Sequence, residues 1–544
     1  MATTAFTGGE SVSRLRGPRL DDGFGLPGRV AFATALLGGL IYAGLSIAAD
    51  TASVGESVAT GTLIFLGLAL LIALGFEFVN GFHDTANAVA TVIYTRSMSA
   101  PVAVVWSGVF NFLGVMFSTG AVAYSIIALL PVDLLLNIGS GAGFAMIFAL
   151  LLAAIGWNLA TWYVGLPNSS SHALIGSILG VGLMNQLLTG GLSGTAGVDW
   201  GQARKVLTGL LVAPVIGFVG AFVLLQVMKR IARNPKLYRE PQGDKPPPAG
   251  IRALLIGTCT AVSFAHGGND GQKGMGLIML ILIGCAPTAY ALNRTASPSE
   301  TPAFLQASAA AESVFERRAG GSAMPMPQAR ETLAAALRAR RIEGARTYAA
   351  LDSVAGGVRE QIAARGSLAD IPASETPGLR NDLYLLTDTA KLATADKAAF
   401  AAPELAAIDA YSKQLQGGTR FIPDWVKLAV ALALGLGTMV GWKRIVVTVG
   451  EKIGKTHMTY GMGASAELMA AATILLAERF GLPVSTTHIL SSGVAGASVA
   501  NGAGLQARTI RNMALAWVLT LPAVMTLAGG LYWLFLQGVR AFGG

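Results

Sequence analysis

Two aspartates in apolar surroundings carry the first chemical signal. Asp84 closes Gly81-Phe82-His83-Asp84, just inside the apolar run that starts at Leu63 and reaches Leu74, and is followed by Thr85, Ala86 and Asn87. Phe264 to Gly274 aligns with Phe78 to Ala88 without a gap at an offset of 186 residues, so Asp270 pairs with Asp84 and Lys273 with Asn87. Ionisable groups at membrane depth are costly, and point by default to a substrate or ion path. A second pair follows in the same order. Gly165-Leu166-Pro167-Asn168-Ser169-Ser170-Ser171-His172 matches Gly481-Leu482-Pro483-Val484-Ser485-Thr486-Thr487-His488 at an offset of 316 residues. Pro167 and Pro483 suit the first turn of a helix, whose free N–H groups and positive dipole end favour an anion, and three consecutive hydroxyls add donors. The competing reading is an ordinary hydroxyl-capped helix start.

Carboxylates beside an anion site make sense when the anion is protonated or travels with a cation. Hydrogen phosphate has an O–H that Asp84 or Asp270 can accept, whereas sulfate at neutral pH has none. The same aspartates can hold a metal ion that neutralises the anion, because hard cations take oxygen ligands. Lys273 places a fixed ammonium where the first copy has an amide, which argues against sodium there and for protons as the coupling ion. Glu77 lies seven residues before Asp84, about two helical turns away on the same face, and is a candidate proton stop; Glu467 and Glu478 are weaker ones. Four of the five histidines fall in the motifs. His83, His172, His266 and His488 suit proton relay or anion donation, and equally a structural hydrogen-bonding role. His457 reads as a surface residue of a basic loop. For the aspartates, the plain alternative is capping of broken helices, since the glycines at 81 and 267–268 permit unwinding.

The elements that position these groups are membrane helices. The chain of 544 residues is 53% apolar and 13% charged, unlike an ordinary soluble globule. Of its 69 charged residues, 29 fall in 293–422, and Leu134 to Val198 is 65 residues without a charge, room for up to three spans. Of the net charge of +9, 293–422 contributes only +1 and the rest lies in short loops, a topology signal that gives no reason to expect nucleic acid. The two cysteines, Cys259 and Cys285, imply no disulfide framework. The second motif offset exceeds the first by 130, the length of the polar stretch 293–422. The chain therefore reads as a duplication with an insertion. We divide it into a cytoplasmic tail (1–29), an extra first helix (30–49), a first membrane half (50–228), a basic and Pro-rich cytoplasmic loop (229–252), the second copy of the aspartate motif (253–292), a soluble periplasmic insertion (293–422) with helices around 327–345 and 399–416, and the rest of the second half (423–544). Basic loops place the N-terminus in the cytoplasm and make the paired motifs antiparallel. The expected fold is an all-α polytopic membrane protein of about 11–12 membrane segments, an inverted-topology repeat with broken helices and re-entrant Ser/Thr segments.

Asn80 to Arg96, Phe264 to Met279 and both Gly-Leu-Pro-Ser/Thr segments resemble the Pit-type inorganic phosphate transporters, in particular the bacterial low-affinity branch. The likeness extends over most of Glu77 to Leu534. It implies a symporter of phosphate in the bacterial inner membrane, coupled to protons and carrying hydrogen phosphate or a neutral divalent metal-phosphate complex, with Mg²⁺ or another divalent cation as co-substrate and no resident cofactor. Carried over by position, it assigns Asp84 and Asp270 to coupling and substrate, Asn87 and Asn269 to supporting ligation, and Ser169, Ser170, Ser171, Ser485, Thr486 and Thr487 to phosphate. His83 and Lys273 depart from the sodium-coupled pattern. The expected partners are inorganic phosphate and the lipid bilayer, and a homodimer is a possible assembly. The alternatives are a sodium-coupled phosphate carrier, a carrier of arsenate, sulfate or another oxyanion, and, remotely, an intramembrane hydrolase with Asp84 and Asp270 as its dyad. The expectation is a carrier, not an enzyme.

Overall fold

The computed structural model describes residues 18, 20, 24–56, 58–84, 86–190, 198–241 and 245–541, apart from the side chains of Ala86, Asn87 and Gly190. Among the described residues the chain is helical and has no strand. The first half runs α1 (Leu26–Ser53), α2 (Thr60–Asp84), α3 (Ala86–Tyr94), α4 (Ala100–Met116), α5 (Ala121–Ile127), α6 (Val132–Leu136), α7 (Gly141–Tyr163), α8 (Ser170–Gly190) and α9 (Trp200–Ile231). Then come α10 (Ala249–Cys285) and α11 (Pro287–Tyr290), and a helical group of α12 (Thr301–Ala319), α13 (Met326–Ala339), α14 (Ala345–Arg365), α15 (Thr376–Ala393) and α16 (Ala402–Thr419). The chain ends with α17 (Asp424–Gly437), α18 (Lys443–Glu451), α19 (Tyr460–Arg479), α20 (Thr486–Ala500) and α21 (Ala507–Ala541).

Eight helices among the described residues are long and apolar enough to cross a membrane, or nine if α4 and α5, bent by 74° at their break, form one span. That is fewer than the 11–12 segments expected. The difference lies in short helices: α17 has 14 residues and α20 has 15, so that at about 1.5 Å per residue neither reaches the roughly 30 Å of a hydrocarbon core. Both are nonetheless buried in the bundle. The charge-free stretch 134–198 likewise holds two candidate spans, α7 and α8, not three. Helix α1 presents most of its surface outward and packs on α17.

The expected unwinding at the second aspartate motif is not found. Helix α10 runs unbroken through Gly267 to Asp270. A Cβ at Gly267 would overlap the Asn111 carbonyl oxygen of α4, and one at Gly114 would overlap the Phe264 carbonyl oxygen. These glycines let two backbones touch, as small residues do between membrane helices. Gly81 and Gly437 do the same where α2 crosses α17. In the first copy α2 ends at Asp84 and α3 begins at Ala86, while Thr85 lies outside the described residues.

The Gly-Leu-Pro segments also act otherwise than expected. Gly165 and Gly481, at φ +70° and +62°, occupy the left-handed region that glycine tolerates. The Leu166 and Leu482 amides then bond back to the Thr161 and Ala477 carbonyls at 3.0 and 2.9 Å. This is a Schellman end to α7 and α19, and the proline that follows prevents the helix from resuming. The next helices start three residues beyond each proline, at Ser170 and Thr486, so Pro167 and Pro483 are stops rather than first-turn residues.

Helices α12 to α16 enclose their own core, which includes Phe315, Leu333, Leu351, Leu386 and Tyr411. The helix expected over 327–345 ends at Ala339, where Arg340 takes φ +51°, and α14 continues from Ala345. Arg338 to Asp133 at 2.9 Å and Arg340 to Asp199 at 2.6 Å tie this group to the bundle.

If close approach is the reason for Gly267, Gly267→Ala should cost about 1–3 kcal/mol through overpacking and lower the thermal midpoint in detergent. Gly257→Ala on the same helix, where an added Cβ meets nothing within 4 Å, should be neutral or mildly stabilising. Equal melting of the two variants would contradict the packing account.

Candidate functional site

The four motifs meet in one buried volume. Asp84 ends α2 and Asp270 lies in the middle of α10, and both side chains are almost wholly removed from solvent. Ser170, the first residue of α8, stands between them: its hydroxyl is 2.5 Å from Asp84 Oδ2, 2.8 Å from Asn80 Oδ1 and 3.5 Å from Asp270 Oδ2. Thr487, from the opposite half, donates to Asp84 Oδ1 at 2.9 Å, and His83 Nδ1 lies 2.8 Å from the same oxygen. The His83 ring is held from its other side by Thr161, 3.3 Å from Nε2.

Asp270 is satisfied differently. Lys273, one turn along α10 and fully buried, places Nζ 2.7 Å from Asp270 Oδ2 and donates to Ser171 Oγ at 2.5 Å. The Ser171 hydroxyl donates in turn to the Val484 carbonyl at 2.7 Å, which links the two hydroxyl segments. His266 Nε2 lies 3.5 Å from Asp270 Oδ2, and among the described residues neither this nitrogen nor Asp270 Oδ1 has a hydrogen-bond partner. On its far side His266 Nδ1 is 2.8 Å from Asn111 Oδ1. A side-chain carbonyl there takes the Nδ1 proton and turns the Nε2 lone pair toward the carboxylates, as an outer-shell partner orients a metal-binding imidazole. Asp84, His266 and Asp270 can each offer one ligand atom, all within 4.8 Å of one another.

The other expected residues divide by position. Ser169 and Ser485 accept from the His172 and His488 amides at 3.1 Å each, so the first hydroxyl of each triplet is a helix cap, as the plain reading held. Thr486 has a buried hydroxyl without a hydrogen bond. Asn269 holds the loop before α20, donating to the Leu482 carbonyl at 3.1 Å and accepting from the Val484 amide at 3.4 Å. The His172 and His488 rings lie 4.5 Å apart, tilted by 41°, and His488 stacks on Trp517 at 4.1 Å; the three rings lie side by side next to the site. The side chain of Asn87 lies outside the described residues.

Glu77 is buried below Asp84, with Asn80 donating to its Oε2 at 3.3 Å and no partner on Oε1. It fits against α10 because residue 274 is glycine: a Cβ there would overlap the glutamate side chain. Glu467 is buried elsewhere, bonded by Thr258, and Glu478 accepts from Gln272 at 3.1 Å. Asn80 and Asn111 are site residues that the motifs alone do not single out. Asn80 is accessible from spacing, since it lies one turn before Asp84 and at the 186-residue offset from His266. Asn111 carries no such signal, for it belongs to neither repeated motif.

The sequence comparisons establish the family. A profile of the phosphate transporter family matches residues 80–528. The chain belongs to the phosphate transporter family. The low-affinity inorganic phosphate transporter PitA of Escherichia coli strain K12 is 43% identical over 504 residues, covering 89% of this chain and 98% of its own. PitB of the same strain, also described as a low-affinity inorganic phosphate transporter, is 42% identical over 505 residues, covering 89% and 99%. Among solved structures, a sodium-dependent phosphate transporter aligns over 87% of this chain and 99% of its own, with 19% identity and a TM-score of 0.47.

Removing one partner of a buried ion pair leaves the other charge uncompensated, at a cost of about 3–5 kcal/mol. Asp270→Asn should therefore lower the melting temperature in detergent clearly, and Asp270→Asn with Lys273→Met should recover part of the loss. A double variant no more stable than the single one would show that Lys273 does not depend on Asp270.

Proposed function

We propose that this member of the phosphate transporter family is a secondary symporter that imports inorganic phosphate, as hydrogen phosphate or as a neutral complex with a divalent metal, coupled to protons. The observation that carries the reading is a pair of buried atoms, Asp270 Oδ1 and His266 Nε2, that have no hydrogen-bond partner among the described residues, although a buried polar atom without a partner is costly. A proton or a metal ion supplies what both need. Two carboxylates and one imidazole suit Mn²⁺ or Zn²⁺ as well as Mg²⁺, with the ion as part of the cargo.

Charge points the same way. Asp84, Asp270 and Lys273 carry a formal charge of −1 among them, and adding a phosphate dianion alone would deepen it in a region of low dielectric, where like charges repel strongly. A neutral metal-phosphate complex, or a proton arriving with the anion, avoids that cost. Ser170 and Thr487, which now donate to Asp84, are placed to turn their hydroxyls to phosphate oxygens. Lys273 holds one aspartate with an ammonium fixed to the chain, where a sodium-coupled carrier would place a mobile cation.

We read the transport cycle as alternating access by two inverted halves. The packing supports this: α2 lies on α17 and α10 on α4, while α8 lies on α21 and α20 on α9, so each half packs on the other in the same exchanged pattern. The site then stands where the halves meet. The orientation we propose is N-terminus in the cytoplasm and α12 to α16 in the periplasm of a bacterial inner membrane.

Purified protein in proteoliposomes tests the coupling. Phosphate uptake should follow an imposed proton gradient, rise when Mg²⁺ or Mn²⁺ is present, and ignore a sodium gradient. Lys273→Gln should weaken the proton dependence while the protein remains inserted. Uptake that requires sodium would contradict the coupling assigned to Lys273 and Asp270.

A further inference from the structure

A second cavity, lined by both apolar and charged residues, lies at the seam between the helical group α12–α16 and the bundle. It encloses about 90 Å³, several times the roughly 10–15 Å³ that one water needs, and so has room for an anion of five heavy atoms. Its bundle wall includes Tyr124 of α5 with Met279 and Leu280 of α10, and its other wall includes Arg380 and Asp388 of α15 with Arg420 just beyond α16. Six residues of unbroken α10 separate Lys273 from Met279, about 9 Å of rise. Gln272, next to Lys273, accepts from the amide of Val122 at 2.8 Å, so α5 is fastened to α10 at the level of the aspartates. The cavity therefore lies over the transport site on the side that α12–α16 cover.

Its chemistry is that of an oxyanion pocket with one acceptor. Arg420 is exposed at the rim, its guanidinium 5.4 Å from the Tyr124 ring centre. Arg380 stands on the same wall, fixed through Nη1 by the Leu135 carbonyl and by Asn381 Oδ1, so that its other N–H groups have no hydrogen bond among the described residues and can serve a ligand. The Tyr124 hydroxyl is buried and has no hydrogen-bond partner among the described residues. Arg340 and Lys391 add positive field near Asp388, although Arg340 is paired with Asp199 at 2.6 Å. Asp388 makes no ion pair among the described residues; burial pushes its carboxyl above the usual range against the pull of Lys391, Arg420 and Arg340. Two guanidinium groups and a phenol are donors that an anion's oxygens could accept from. An ionised Asp388 among them would tolerate only an anion that carries an O–H, since a carboxylate accepts and cannot donate.

We propose that this seam cavity is an outer selection site for hydrogen phosphate, in which Arg420, Arg380 and Tyr124 bind the anion and Asp388 accepts its O–H, and from which it passes to the aspartates. This rests on phosphate being the cargo. It gives α12–α16 a part in choosing substrate, which neither the aspartate motifs nor the hydroxyl segments require. Arg420 is the residue to test, because it is exposed and makes one side-chain hydrogen bond, to Gln416 Oε1 at 3.1 Å within its own segment.

The test is phosphate uptake by the full chain in right-side-out and inside-out vesicles, with KM and kcat read separately. Arg420→Gln should raise KM for phosphate offered on the α12–α16 side by roughly five- to tenfold, the loss of about one charge-assisted hydrogen bond, with kcat and the KM from the opposite side unchanged. Asp388→Asn, which turns one acceptor oxygen into an N–H₂ donor, should let sulfate compete with phosphate from the α12–α16 side. An unchanged KM in Arg420→Gln, a change equal on both sides, or sulfate still excluded by Asp388→Asn would overturn the assignment. A wild type that takes up no phosphate at all would instead sink the transport reading on which the proposal rests.

Discussion

Burying charge without water is the constraint on which the rest of the bundle depends. Asp84, Asp270 and Lys273 are all buried, and an isolated ion in such surroundings is far too costly to persist. Each must be met by a partner delivered from elsewhere in the chain. Ser170 comes from α8, Thr487 from α20, His83 from the residue beside Asp84, and Lys273 from one turn along α10. Four segments far apart in sequence thus have to converge within hydrogen-bonding distance. The same partners are groups that a phosphate, a proton or a metal ion can engage in their place.

Convergence of that kind needs backbones in contact. Where α10 crosses α4 and α2 crosses α17, the crossing residues are glycines whose missing side chains make the approach possible. Gly274 extends the principle from packing to chemistry, because it makes the space in which Glu77 lies beside α10. The ends of α7 and α19 are controlled just as closely. A left-handed glycine and a following proline halt each helix, so that the next one starts with its hydroxyls facing the aspartates.

Much of this arrangement is legible in the amino-acid sequence. Repetition of the aspartate and hydroxyl motifs identifies the residues that meet, because duplication brings corresponding segments to one shared interface. The mechanical role of the small residues is what sequence misreads. Glycine is ambiguous there, permitting both an unwound backbone and a close crossing, and only the neighbour across the gap distinguishes them; at Gly267 that neighbour is Asn111. Proline after Gly-Leu is ambiguous for a similar reason, since it serves a helix start and a helix stop alike. Span counting overreaches because apolarity reports burial, and α17 and α20 are buried in protein while too short to cross a bilayer. Asn111 and the seam cavity leave no trace in the motifs, for Asn111 lies on α4, which carries none, and the cavity is lined by α5, α15 and the part of α10 beyond its motif.

The central claim is that the buried carboxylates act on the transported phosphate and do not merely hold helices together. Asp84→Asn tests it most directly, since the amide keeps the shape and an acceptor oxygen for Ser170 or Thr487. In proteoliposomes with a proton gradient and Mg²⁺, labelled phosphate uptake should fall to background while the melting temperature and the amount of inserted protein stay near those of the wild type. Uptake at the wild-type rate by stably inserted Asp84→Asn would contradict the account.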